Sequence, residues 1–69
     1  MLTGTVTQVK GLLCRIASTT GTIYFAHRNH FVDPTAMFDG NEVEFREGLA
    51  KTGPLPVALD IVAIQRKAA

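Results

Sequence analysis

The spacing of glycines and prolines limits this chain more than any other feature. Gly4, Gly11, Gly21, Pro34, Gly40, Gly48, Gly53, Pro54 and Pro56 punctuate it from end to end. Breaks this frequent leave room for short strands rather than long helices. The intervals between them carry β-branched and aromatic residues, which suit a pleated backbone. The first strand is predicted over Leu2–Lys10, the second over Leu12–Ala17 and the third over Thr22–His27. Ser18-Thr19-Thr20-Gly21 is a polar turn with a glycine able to take positive φ, so the second and third strands should form an antiparallel hairpin.

After Arg28 the pattern changes. Asp33-Pro34 starts a turn, and Thr35-Ala36-Met37-Phe38 suits a single helical turn before Gly40. A fourth strand is predicted over Glu42–Glu47, with Val43 and Phe45 inward and Glu44 and Arg46 outward. Gly48 to Pro56 reads as a loop, and a fifth strand follows over Val57–Ile64. Five short strands in 69 residues, with no linker and no repeat, predict one all-β domain spanning residues 1–69 and closed as a small barrel.

Centring the hairpin near Thr20 sets its register. Arg15 then faces Phe25, Leu13 faces His27 and Ala17 faces Ile23, with Cys14 opposite Ala26 and Ile16 opposite Tyr24 on the other side. Cys14, Ile16, Tyr24 and Ala26 make a core face. Leu13, Arg15, Ile23, Phe25 and His27 make an outer face that mixes apolar groups with cations. Apolar residues clustered on a solvated sheet face mark an interaction site, and a ring beside cations suits a stacked base with its phosphate held by charge. A register slipped by one residue would exchange the faces, putting Phe25 in the core and Tyr24 outside. Phe31, Phe38, Phe45 and Tyr24 read as core by the usual burial of aromatics.

Composition narrows the rest. The formal net charge is only +1, so a nucleic-acid partner would have to be held by a local patch and by stacking. The densest basic run, Arg66-Lys67, reads as a solvated tail. Cys14 is the single cysteine and cannot make an internal disulfide, which fits a reducing, cytoplasmic setting. No apolar run approaches the roughly 20 residues of a membrane span. There is no nucleophile-elbow, phosphate-loop or paired-cysteine motif, so neither an enzyme nor a cofactor is expected. His27 and His30 have the spacing of half a metal site, but nothing supplies the remaining ligands and no metal is expected.

Four segments, in order, resemble bacterial cold-shock proteins. Met1-Leu2-Thr3-Gly4-Thr5-Val6 is similar to the family's opening, and Ile23-Tyr24-Phe25-Ala26-His27 to its V-F-V-H signature. Gly40-Asn41-Glu42-Val43-Glu44-Phe45 is similar to its G-x-x-V-x-F strand, and Gly53-Pro54 to the G-P loop before its last strand. The resemblance covers almost the whole chain. It implies a closed five-stranded antiparallel OB-fold barrel that binds single-stranded RNA or DNA on strands one to three, with little sequence selectivity and in some members RNA-chaperone activity. The family's K-G-F-G-F-I signature on strand two is poorly kept. Counting back from His27 places its aromatics on Leu13 and Arg15, whereas aligning on Lys10-Gly11 places them on Leu12 and Cys14; the first keeps Cys14 and Ile16 in the core. The family's strand-one tryptophan falls on Gln8 and the aromatic after its histidine on Arg28, and the loop after strand three is shorter and lacks the family's phenylalanine.

The resemblance therefore points to Gln8, Lys10, Leu13, Arg15, Phe25, His27, Arg28 and Lys51 as the nucleic-acid-binding residues. Lys10 and Lys51 occupy loop positions where the family holds phosphate, although a lone lysine is often merely solvated. Rings have been lost while guanidinium groups at Arg15 and Arg28 have been gained, and arginine both stacks on bases and contacts phosphate. The competing reading is a protein-interaction module in which Leu13, Ile23 and Phe25 receive a partner or a second copy of the chain, as in a homodimer. One fold serves both roles.

Overall fold

The computed structural model describes residues 1–52 and 55–64, and their side chains except at 49–52. The strands are β1 (Leu2–Lys10), β2 (Leu13–Ser18), β3 (Ile23–His27), β4 (Glu42–Thr52) and β5 (Leu55–Ala63). They close into one barrel in the order β1-β2-β3-β5-β4, with β4 returning to β1. The expected closed five-stranded OB-type barrel is therefore what forms, with one amendment. All seams are antiparallel except β3–β5, which runs parallel through Phe25 and Val57. That seam continues in a bridge from Phe31 to Ile61. A parallel seam is what joins strands linked by a long crossover rather than a hairpin.

The β2–β3 hairpin has the predicted register, with Arg15 opposite Phe25 and Ile16 opposite Tyr24. Its turn is locked by short-range bonds. The Ser18 N–H donates to Thr22 O at 2.9 Å, the Thr22 N–H donates to Ser18 Oγ at 3.1 Å, and Gly21 takes φ 94°. The slipped alternative is excluded, since Cys14, Ile16, Tyr24 and Ala26 are all buried. With Val6, Phe31, Val43, Phe45 and Ile61 they form one core. The Tyr24 ring meets the Phe45 ring edge-on with centroids 4.9 Å apart, and its hydroxyl donates to Glu47 Oε1 at 3.0 Å. Burial, and then Glu47, raise the Tyr24 pKa and keep the phenol a neutral donor.

Two expectations fail. Gly48 to Pro56 is not one loop, because β4 runs on through Gly48 to Thr52 and β5 begins at Leu55. Gly48 lies close under β5, where a Cβ would come 2.9 Å from Leu59 Cδ1 and 3.3 Å from Val57 O, so a larger residue would have to push the Leu59 side chain aside. A glycine that reads as a turn in sequence is in fact a close approach within a strand. Phe38 is also not core. It follows the 3-10 turn Pro34–Ala36, at the approach to Gly40 (φ 88°), and is 54% exposed. The single helical turn expected near Thr35 is this Pro34–Ala36 turn, capped by Asp33 accepting from the Thr35 N–H. Gly53-Pro54 and Arg66-Lys67 lie outside the described residues.

Gly4 sits on β1 opposite Ser18 of β2, hard against that strand. A Cβ there would lie 2.7 Å from Ala17 O and 2.7 Å from Ile16 Cγ2. One of those neighbours is backbone and cannot swing aside. We expect Gly4→Ala to destabilise the barrel by about 1–3 kcal/mol, the usual cost of overpacking. Denaturant unfolding monitored by circular dichroism reads this, and an unchanged midpoint would show that the strands can part at no cost.

Candidate nucleic-acid interface

The outer face of β1–β3 is shaped by a break in β1. Thr7 pairs with Arg15 but Lys10 pairs with Leu13, so β1 holds one extra residue between these pairs. Strand alternation from buried Val6 would send Gln8 inward. The bulge turns it outward instead, with Gln8 at φ 53°, in the left-handed region that non-glycine residues rarely occupy. The bulge is pinned from behind. The Val9 N–H donates to Asp39 Oδ1 at 3.0 Å, and Val9 packs against the core. The Gly40 N–H donates to Val6 O at 2.8 Å.

Between this bulge and the hairpin lies an open concavity of about 590 Å³. Its apolar lining is Leu13, Phe25 and Leu55, with Cys14 behind them, and its polar lining is Gln8, Lys10 and Arg15. Five of the eight residues picked from sequence thus share one hollow. Phe25 is half-buried, held between β2 and β5, whereas Arg15 across from it is exposed. His27 lies beside Leu13 at the end of β3 without lining the hollow, and Arg28 stands exposed next to it, its N–H donating to Leu12 O at 2.8 Å. The Lys51 backbone pairs with Pro56, and its side chain lies outside the described residues. Leu55 was missed because it was assigned to a loop, and Cys14 because a core residue was not also expected to back a surface hollow.

A charge pattern was also missed. Residues 1–32 contain Lys10, Arg15 and Arg28 and no acidic residue, and all six acids of the chain lie at Asp33 or beyond. The near-zero net charge therefore conceals a β1–β3 segment whose own charged residues are all cations, with Asp39 brought against it only behind the bulge at Val9. A cation-lined hollow with an apolar floor can hold a flat ring by contact and an anion at its rim.

Where β3 ends, two histidines cap the 3-10 turn Arg28–His30. The His27 N–H donates to His30 Nδ1 at 3.0 Å, and the Asn29 N–H donates to His27 Nδ1 at 3.0 Å. Both acceptor nitrogens must be unprotonated. Among the described residues no cluster of three metal-ligating side chains forms, and both Nδ1 atoms are already engaged.

Burial, then the adjacent His27, hold the His30 pKa below its ordinary value. Protons therefore favour the unfolded chain at this position. The stabilisation is complete above the free imidazole value of about 6.5 and drains away as pH falls through the lower folded value. We expect the melting temperature to fall between about pH 7 and pH 5 and His30→Gln to flatten that fall; a wild-type melting temperature level across that window would contradict the capping role. Cys14 gives a second check. Burial, then the Asp39 charge, push its thiol up to about 11. Alkylation should be slow in the folded protein and fast in denaturant, and equal rates would place Cys14 outside the core.

No protein-family model and no curated protein matches this sequence.

Proposed function

We propose that this protein is a binding module for single-stranded nucleic acid, a divergent relative of the cold-shock domain, and that the strand lies across β1–β3. The observation that carries the reading is the hollow of Gln8, Lys10, Leu13, Arg15 and Phe25, all from the stretch 1–32 that has no acidic residue, closed at its edge by Leu55 of β5. A base can lie against Phe25 and the leucines while Arg15, Lys10 and Arg28 meet the phosphates on either side. Base contact by stacking and phosphate contact by charge are both insensitive to sequence, so selectivity should be low. A protein holding single strands in this way acts as an RNA chaperone by keeping them from pairing.

The binding should be weaker and more salt-sensitive than on a platform of many rings. Stacking on an aromatic contributes about 1–3 kcal/mol per base, and among the described residues Phe25 is the one ring in the hollow. Guanidinium groups take over part of that work, and their share fades as salt rises. Among the described residues no helix is long and apolar enough to cross a membrane. The free, buried thiol of Cys14 suits work in the cytoplasm.

Phe25→Ala should weaken binding of oligo-dT and oligo-U by about 1–3 kcal/mol, read by fluorescence anisotropy, with the fold intact. Arg15→Ala should cost more at low salt than at high salt and flatten the salt slope by roughly one unit, as expected for one lost phosphate contact. Two results count against the reading: a wild-type protein that binds neither oligomer at low salt, and a Phe25→Ala variant that folds and binds unchanged.

A further inference from the structure

Among the described residues the large apolar side chains left exposed are Met1, Leu12, Leu13, Ile23, Val32 and Phe38. Apart from Met1 they fall into two groups. Leu12 and Leu13 lie at the Lys10 and Arg28 end of the β2–β3 hairpin and Ile23 at its turn end, with Arg15 between them. Val32 and Phe38 border a separate groove of about 350 Å³, which shares no lining residue with the first hollow. Its floor is Ala36, Val62 and Ala63, where the crossover segment lies against the end of β5. The Val32 N–H donates to Ile61 O at 2.9 Å and fixes that segment in place.

The groove carries the opposite charge. Asp33 lines it, and the Thr35 hydroxyl and N–H, both donating to Asp33 Oδ1, hold its carboxyl below the usual range and so ionised. Glu44 is the cross-strand partner of Val62 in the groove wall, and Glu42 lies two residues before it on β4. From residue 31 to residue 45 the chain has no lysine or arginine, and of its four acids Asp33 lines the groove, Glu42 and Glu44 lie on β4 beside it, and Asp39 instead braces the β1 bulge. Each chain thus presents an apolar surface rimmed by cations and, elsewhere, an apolar surface rimmed by carboxylates.

We infer that the acidic groove receives the basic β2–β3 face of a second copy of this chain. The contact is heterologous, since the two surfaces are different and complementary, so each copy keeps one of each free for the next. Leu13 and Ile23 of one copy cover Val32 and Phe38 of its neighbour, while Arg15 and Arg28 approach Asp33 and Glu44. Two like faces meeting would instead set cation against cation or acid against acid, which opposes an isologous dimer. Contacts held by a few apolar side chains and charges are weak and transient, and charge makes the attraction fade with salt. The inference does not depend on the nucleic-acid reading, although a strand on β1–β3 and a neighbouring copy exclude each other there.

Sedimentation velocity on the 7.5 kDa chain tests this directly. Average mass should climb with concentration up to about 1 mM at low salt and return to the monomer at high salt. Two variants then separate the faces. Asp33→Asn with Phe38→Ser removes charge and cover from the groove while leaving the Asp33 cap an acceptor. Leu13→Ser with Arg15→Glu disables the basic face. Each should remain monomeric alone, and an equimolar mixture should form a complex of twice the chain mass and stop there. That restored pairing also shows that both variants are folded. A monomeric wild type at low salt overturns the inference, as does self-association of either variant alone or a mixture that stays monomeric while wild type associates. Because no nucleic acid is present, failure here leaves the oligonucleotide result untouched.

Discussion

The barrel depends on strict alternation along strands too long to obey it without interruption. Successive side chains on a strand point to opposite faces, yet both ends of β1 and of β5 must contribute to one core. The conflict is relieved by an extra residue in each strand. In β1 it lies between Thr7 and Lys10, so that Val6 is buried and Val9 still packs against the core. In β5 it lies between Leu59 and Val62, so that Ala58 and Ile61 are both buried three residues apart. The cost is visible in the backbone. Gln8 at φ 53° and Asp60 at φ 52° occupy the left-handed region without being glycine. Each is braced: the β1 bulge by Asp39 on the Val9 N–H, and Asp60 by its ion pair with Arg46.

The same device shapes the surface. Without the bulge the Gln8 amide would be driven toward the core beside Val6, where a polar group needs a partner. With it the amide turns outward onto the hollow between β1 and the β2–β3 hairpin. Closure of the barrel also brings Leu55 of β5 to the edge of the same hollow through the parallel seam at Phe25 and Val57. Packing thus accounts for where the hollow is and what its floor is made of. The chemistry at its rim comes from the chain's uneven distribution of charge.

Much of this was legible in the sequence wherever local rules decide the outcome. The Ser18–Gly21 turn is short and polar, so it fixed the hairpin register and with it the inner and outer faces of β2 and β3. The unread parts were those decided by distant contacts. Gly48 looks like a turn and is a strand residue crowded by Leu59, a neighbour eleven positions away. Phe38 looks like core, but the crossover segment supplies Phe31 and Ala36 to the core and leaves Phe38 outside. The bulge at Gln8 carries no glycine to announce it. The charge pattern was available without any structure, but a whole-chain net charge of +1 averages it away.

The central claim is that the cationic hollow of β1–β3, and no other surface, receives a single strand. An amide-resolved NMR titration of the 15N-labelled protein with oligo-dT at low salt addresses it most directly. The account predicts that the largest shifts fall on Gln8, Lys10, Leu13, Arg15, Phe25, His27 and Arg28, with Val32, Phe38 and Val62 nearly still, and that added salt reverses them. Shifts centred on the groove of Val32 and Phe38, or a spectrum that oligo-dT leaves unchanged, would contradict it.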